Sequence, residues 1–509
     1  MRPVRDMSLG LSAALLLTSC AVGPNFKPPP APDVSGYTPE QLKSPHADPA
    51  GPQVAPQRFK VGADIAPRWW VAFHSQPLNA LIRKSVAQSP TLEAAEAAIK
   101  VANFNALAQR GLYYPQVSAN YNASDQQFSN MAAQQGPGNP PQDRYTLHTA
   151  QLTISFVPDI WGQNFRAVEN LDALTEQAQF QLEAAYLALT ANVVTAAIQE
   201  ASLRGQIAAT ERIIKIERDI LGILKSQLAA GQAAQVDVLT QETALAQAEQ
   251  TLPPLQKQLA VQRNLLTALA GQFSAKEILE TFDLQHLTLP RNLPVSLPGT
   301  MVAQRPDVRA AEASLHSASA LVGVAIAARL PNITLSGNPG SSAFKPAELF
   351  APGTLFYTVV GSATQTVFDG FTLYHRQKAA EAALEQAGAV YRQTVITALQ
   401  NVADALRGLQ ADVRSVQAAI KAEEAAKASL DIIQKQLTLG QINQVTVLTA
   451  QQAYLNTAIA RVQAQATRLT DTAALFMALG GGWPAACTTA VWRDCVLKDG
   501  SPVQVSDAK

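Results

Sequence analysis

The chain has 509 residues with 39 Lys plus Arg against 39 Asp plus Glu, a formal net charge of zero, and only 15% of its residues are charged. Neutralising nucleic-acid phosphates needs a basic surface, which this balance excludes, and a hydrophobic share of 47% excludes a wholly disordered chain. Ala, Gln, Ser and Thr take the place of the missing charge, a composition suited to helices packed on more than one side.

Arg2 and Arg5 precede an apolar run, Leu9 to Leu17, that is too short to cross a bilayer as a helix and reads as a secretory signal over residues 1–19. It closes on Leu17-Thr18-Ser19-Cys20, which resembles the lipobox of bacterial lipoproteins, so Cys20 is expected to carry the lipid and begin the mature chain. The alternative is an ordinary signal peptide that contains a cysteine. Ala21 follows where an Asp would suggest retention at the inner membrane, which favours the outer one. Residues 20–67 are rich in proline and lack apolar periodicity, as expected of an extended strap.

An internal repeat dominates the rest. The fourteen residues from Gln227 to Thr240 match those from Gln436 to Thr449 at nine positions, with an offset of 209. The same offset brings Gly271 onto Gly480, and upstream Ala94-Ala95-Glu96-Ala97 matches Ala310-Ala311-Glu312-Ala313. A period of this length is far beyond solenoid repeats and indicates a duplicated unit. The expected segments are 68–271 for the first copy, 272–296 for a connector, 297–480 for the second copy and 481–509 for a tail.

Each copy reads in one order. A helix comes first, Leu78 to Leu112 and its partner Val308 to Arg329, the latter opened by Pro306. Two β-like stretches follow: 115–122 and 145–157 in the first copy, 331–337 and 355–368 in the second. Ala150, Leu152, Ile154 and Phe156 alternate with Gln151, Thr153 and Ser155, a period of two. The pattern then turns helical behind Asp159 and Asp369, expected N-caps. Leu171, Leu174, Ala178, Leu182, Ala185, Leu189, Val193 and Ala196 recur in steps of three and four, followed by the stripes Ile213, Ile216, Ile220, Ile223 and Leu221, Leu224, Leu228. Two stripes imply two neighbours. A helix from 164 to 230 would reach roughly 100 Å. Gly231 and Gly440 end these helices, a returning helix follows each, and Pro253-Pro254 is expected to kink or interrupt the first. Cys487 and Cys495, in an exported chain, read as a disulfide, with two independent thiols as the alternative.

Strands that alternate apolar with small polar residues suit a membrane barrel, with lipid on one side and water on the other. Four strands fall short of the roughly eight that close one, so closure requires several chains. No chemistry competes. His46, His74, His148, His286, His316 and His375 lack metal-ligand spacing, and no nucleophile-elbow, zinc-helix or phosphate-loop motif occurs.

Two copies of helix, strand, strand, long helix and returning helix stand behind the lipobox and Cys20-Ala-Val-Gly-Pro-Asn-Phe-Lys-Pro-Pro29. They are joined by Trp69-Trp70-Val-Ala-Phe73, Asp159-Ile-Trp-Gly162, Phe368-Asp369-Gly370, Arg305-Pro306-Asp307, Gly440 and Val447 to Gln451. Together these resemble the outer membrane factor family, the TolC-like efflux ducts, in its lipoprotein branch. The resemblance implies an α+β membrane protein: a homotrimer whose long helical hairpins make a periplasmic α-barrel and whose strands, four per chain, make a twelve-stranded outer-membrane β-barrel. It implies a passive efflux channel that is no enzyme, needs no cofactor or metal, and docks through a periplasmic adaptor, a membrane fusion protein, on a proton-driven inner-membrane pump. The tips at Gly231, with Asp237 nearby, and at Gly440 would meet the adaptor. The family's acidic constriction positions are Ile442 and Thr449 here, so a ring of Val445 and Thr449 is expected in its place. The competing class is a lipid-anchored periplasmic adaptor or coiled-coil scaffold without its own pore.

Overall fold

The computed structural model describes residues 21–40, 44, 56–63, 65–127, 144–439 and 441–482. Cys20, Gly440, Cys487 and Cys495 lie outside them, as do the signal stretch and most of the tail. The chain divides into two compact units. One draws on Ala98–Ala178 and Ala311–Tyr391 with the stretch that ends at Pro29; the other draws on Pro30–Ala97, Gln179–Ala310 and the chain from Arg392 onward.

In chain order the helices are α1 (Gln76–Gln88), α2 (Pro90–Arg110), α3 (Gln163–Ala229), α4 (Gln235–Leu269), α5 (Pro298–Gln304), α6 (Pro306–Ala327), α7 (Thr372–Thr438) and α8 (Gln444–Ala478). The strands are β1 (Arg58–Val61), β2 (Gln116–Gln126), β3 (Tyr145–Phe156), β4 (Asn292–Val295), β5 (Asn332–Gly337), β6 (Gly340–Ala343), β7 (Leu355–Phe356) and β8 (Val359–Thr364). The duplication is visible in the lengths: α3 and α7 have 67 residues each, α4 and α8 35 each.

Two expectations need correcting. The first helix of the first copy is broken at Ser89, because proline disfavours helical geometry in the residue before it; Ser89 Oγ accepts the Leu92 N–H at 3.4 Å and starts α2 afresh. Pro253 and Pro254, by contrast, do not interrupt α4. Both are exposed, as are Glu249 and Gln250, whose carbonyls lose their helical donors, so the groups the prolines leave stay open to solvent.

In the first unit β2, β3, β5, β6, β7 and β8 form one antiparallel sheet. β5 and β6 pair with β3 in a single continuous register, and β7 and β8 pair with them likewise. The gap is Pro339, which has no N–H to give; Asn338 N–H still reaches Thr358 O at 2.8 Å and Leu152 N–H reaches Pro339 O at 2.9 Å. The sheet is therefore the four expected strands, two of them nicked. Cross-strand partners share a face. One face carries Val117, Ala119, Tyr121, Ala150, Leu152, Ile154, Ile333, Leu335, Leu355 and Val359; the other carries Ser118, Asn120, Asn122, Gln151, Thr153, Ser155, Thr334, Ser336 and Ser362, with Leu147, Phe356 and Val360 its apolar exceptions. Among the described residues β2 pairs only with β3 and β8 only with β5, so both outer edges keep unpaired backbone groups.

In the second unit the helical hairpins share a core. Ile213 and Ala248 from one hairpin pack with Leu430, Tyr454 and Leu455 from the other, and nearer the tips Ile220, Leu224 and Val238 pack with Leu437 and Val447. The expected stripes supply this core. β1 and β4 pair in parallel, tying the strap to the connector, and Trp69, Trp70 and Phe73 are buried, Trp69 stacking on Phe476 with ring centroids 5.3 Å apart.

Candidate functional site

Three places carry the chemistry. The first is the strand-to-helix junction. Asp159 Oδ1 and Oδ2 accept the N–H groups of Asn164 (2.9 Å) and Phe165 (2.7 Å), and Asp369 Oδ2 accepts Leu373 N–H at 2.9 Å, so each carboxylate satisfies orphan donors at the start of a 67-residue helix. Against the first junction lies the stretch Ala21–Phe26. Arg166, 2% exposed, holds it: Nε donates to Val22 O at 3.1 Å, and Nη2 to Gly23 O at 3.3 Å and Asn25 Oδ1 at 2.7 Å. Glu169 accepts Arg166 Nη1 at 2.7 Å and meets His316 Nε2 at 3.0 Å, while Phe26 stacks on the His316 ring, centroids 4.4 Å apart. A Cβ on Gly323 would stand 2.8 Å from Arg166 Cγ and 2.9 Å from Val22 O, so only glycine leaves room. This clamp escaped the sequence reading. Its signal was an arginine in the first turn of a helix, where the macrodipole disfavours a cation.

The second place is the pair of tips. Gly231 adopts φ +74°, its N–H donating to Leu228 O at 2.9 Å while Gln232 N–H donates to Gln227 O at 2.8 Å, a Schellman closure. Gln441 N–H repeats the wider bond to Gln436 O at 2.9 Å in the second copy. Asp237 Oδ2 accepts Ala234 N–H at 3.2 Å, capping the start of α4. Val445 and Thr449 are exposed on one face of α8, and Thr449 Oγ1 donates to Val445 O at 2.9 Å. Val236 and Thr240, which the repeat aligns with these two, make the same bond in the first copy at 2.7 Å. Below them a buried chain of amides joins the hairpins: Gln444 Nε2 donates to Gln241 Oε1, and Gln241 Nε2 to the Glu217 carboxylate. Burial pushes Glu217 up to about 6. Gln451, fully buried two turns further along α8, lines a cavity of about 740 Å³ with Glu217, Thr240 and Thr449.

The third is a set of buried charges higher on the hairpins. Glu200, fully buried, accepts from Arg204 (2.8 Å), Arg263 (2.9 Å) and Phe282 N–H (3.0 Å), holding the connector to α3 and α4. On α7 and α8, the Asp412 and Asp471 carboxyls lie close together beside Arg468, which donates through Nε to Gln57 Oε1 of the strap at 3.1 Å. Burial and the Asp471 carboxylate push Asp412 up to about 7, and burial pulls Arg468 down to about 10. Among the described residues no cluster of three His, Cys, Asp or Glu side chains is placed to hold a metal ion.

A protein-family model described as "Outer membrane efflux protein" matches residues 81–272 and again 297–481, once in each copy of the duplication. The pyoverdine export outer membrane protein OpmQ of Pseudomonas putida is 28% identical over 445 residues, 86% of this chain and 93% of the relative. The toluene efflux pump outer membrane protein TtgC, also of Pseudomonas putida, is 25% identical over 94% of this chain and 95% of its own. The crystal structure of the Campylobacter jejuni CmeC outer membrane channel superposes with a TM-score of 0.83 over 94% of this chain and 98% of that one, and at 18% identity this likeness is one of fold.

Proposed function

Because the chain belongs to the outer membrane efflux protein family, a family of transport proteins and not of enzymes, we propose that it is the passive outer-membrane duct of a tripartite pump. Three copies would join their free sheet edges into a twelve-stranded barrel. The observation that carries this reading is the sheet itself: four strands, one face apolar and one polar, with both edges unpaired. In a bilayer no edge survives unpaired, so such a sheet must close on copies of itself.

The long hairpins of 68–271 and 297–480 would then form the periplasmic tunnel. Their tips at Gly231 and Gly440 would dock a periplasmic adaptor and, through it, a proton-driven inner-membrane pump that supplies the energy. Val445 and Thr449, with Val236 and Thr240, would close the tunnel by packing and hydroxyl contact in place of charge. The relatives that export pyoverdine and toluene support a small-molecule cargo chosen by the pump. The clamp on Ala21–Phe26 supports the lipid anchor: it fixes the residue after Cys20 at the foot of β3, where acyl chains on that cysteine enter the adjoining leaflet. Several acyl chains hold where one is marginal.

Extraction tests the reading. Cys20→Ala protein is expected to remain in the outer membrane and to need detergent for release, since a barrel does not depend on acyl chains. A fully soluble Cys20→Ala chain would overturn the duct and favour the lipid-anchored adaptor or scaffold.

A further inference from the structure

The cavity beside Glu217 offers a guest mostly hydrogen-bond acceptors. Its volume is about 740 Å³, and three helices form it: α3 with Ile213 and Glu217, α4 from Thr240 to Thr251, and α8 from Leu448 to Leu455. Four threonines line it, and each has spent its hydroxyl hydrogen on a carbonyl of its own helix. Thr240 donates to Val236 O at 2.7 Å, Thr243 to Leu239 O at 2.9 Å, Thr251 to Ala248 O at 2.7 Å and Thr449 to Val445 O at 2.9 Å. What remains on these oxygens is lone pairs. Gln247 and Gln452 stand at the exposed rim, and Gln452 Nε2 is turned to Asn456 Oδ1 at 3.0 Å.

Two of the polar lining residues are buried as well. Glu217, 5% exposed, takes Gln241 Nε2 on its carboxylate, and among the described residues no Lys, Arg or His lines the cavity to balance its charge. Gln451 is fully buried on α8, and neither its Oε1 nor its Nε2 is hydrogen-bonded. A buried amide left unpaired is destabilising, and a buried carboxylate without a counter-charge is more so. The remaining wall is apolar, with Ala244, Ala248, Ala453 and Leu455 in it. An apolar wall carrying a few convergent polar groups, at this volume, is the make-up of a small-molecule site.

We propose that this cavity binds an alkylammonium ion, a small organic amine in its protonated form. An ammonium head donates three hydrogen bonds and accepts none, which matches threonine oxygens, Gln451 Oε1 and the Glu217 carboxylate, and its charge offsets the buried one. The alkyl body lies on the alanines and Leu455, and one retained water serves Gln451 Nε2. Water alone leaves the carboxylate without a counter-charge, and a metal ion leaves the apolar wall uncovered. A bound amine touches α3 and α4 of the first copy and α8 of the second, so it bridges the two hairpins. The site stands on the hairpins and does not rest on the duct reading.

The test is a ligand-observed NMR titration of full-length protein in mild detergent at neutral pH, read against empty micelles. Butylammonium chloride is the probe, and 1-butanol, of similar length but uncharged, is the control. Saturable binding of butylammonium without binding of butanol is expected. Glu217→Gln should weaken it about tenfold or more, the scale of a lost charge-assisted hydrogen bond. Ala453→Phe fills the cavity from its exposed rim without touching the Gln444–Gln241–Glu217 chain, so it should also lose the probe; this variant carries the test if Glu217→Gln does not fold. Glu249→Gln removes a surface acid of α4 that pairs with Arg218, and it should leave binding unchanged. Absence of saturable binding in wild type, which means a cavity filled by water only, overturns the proposal. So does butanol or potassium bound as tightly as butylammonium, or a loss in Glu249→Gln equal to that in Glu217→Gln.

Discussion

At the residue scale the buried acids set how the hairpins respond to pH. Asp412 is pushed up to about 7 by burial and by Asp471, Glu183 to about 7 by burial against a partial pull from Arg309, and Glu217 to about 6 by burial. An unfolded carboxyl titrates near 4, so all three have folded values above their unfolded ones. Their contribution to stability is full below about pH 4 and is lost as pH rises toward 7. Thermal unfolding in detergent should show Tm falling across that window. Asp412→Asn removes the charge that burial and Asp471 disfavour, so it should flatten the fall and gain about 1 kcal/mol at pH 8, the usual scale of a single substitution. An unchanged slope in that variant would place the pH response on Asp471, which burial also pushes up, or on Glu183 or Glu217.

At the scale of elements, the junction clamp predicts a separable defect. Gly323→Val puts side-chain atoms where Arg166 and Val22 already meet, and Arg166→Ala strips four acceptors of their donor, three of them in the Ala21–Phe26 stretch. Either change should release the Ala21–Phe26 stretch, and Arg166→Ala also leaves Glu169 without its arginine, at about 1–3 kcal/mol for buried polar groups left unpaired, while α3 and β3 stay formed. Limited proteolysis reads it: cleavage within residues 21–29 should appear in the variants and be absent in wild type. What the sequence revealed and what it hid divide along physical lines. The four strands, the equal hairpins and the caps at Asp159 and Asp369 were legible because period, offset and cap chemistry are local. The break at Ser89 was missed although Pro90 announces it, because the apolar pattern runs on through both sides. β1 and β4 were not legible, because four-residue strands carry too little periodicity and pair across more than two hundred residues. Nor was the Gln444–Gln241–Glu217 chain, whose members only folding brings together.

At the scale of the whole molecule, the duplication multiplies whatever a tip presents. If three chains assemble around one axis, Val236 with the half-buried Thr240 and Val445 with the exposed Thr449 give six valine–threonine pairs, each threonine bonded back to the carbonyl of its valine. Native mass spectrometry in gentle detergent should find trimers, and a population of monomers or dimers alone would remove the pore. Given trimers, the gate follows from what each tip side chain already does. Asp237 is engaged with Ala234 N–H, so its carboxylate serves the start of α4 and has little left to give a constriction. Val445 is 66% exposed on the single chain and has no such duty. Single-channel recording should therefore show higher closed-state conductance in Val445→Ala with Thr449→Ala, weak cation selectivity in wild type, and little change in Asp237→Ala beyond a cap lost at about 1 kcal/mol. The opposite pattern, with Asp237→Ala opening the channel and the double variant silent, would move the gate to the first tip and make it electrostatic.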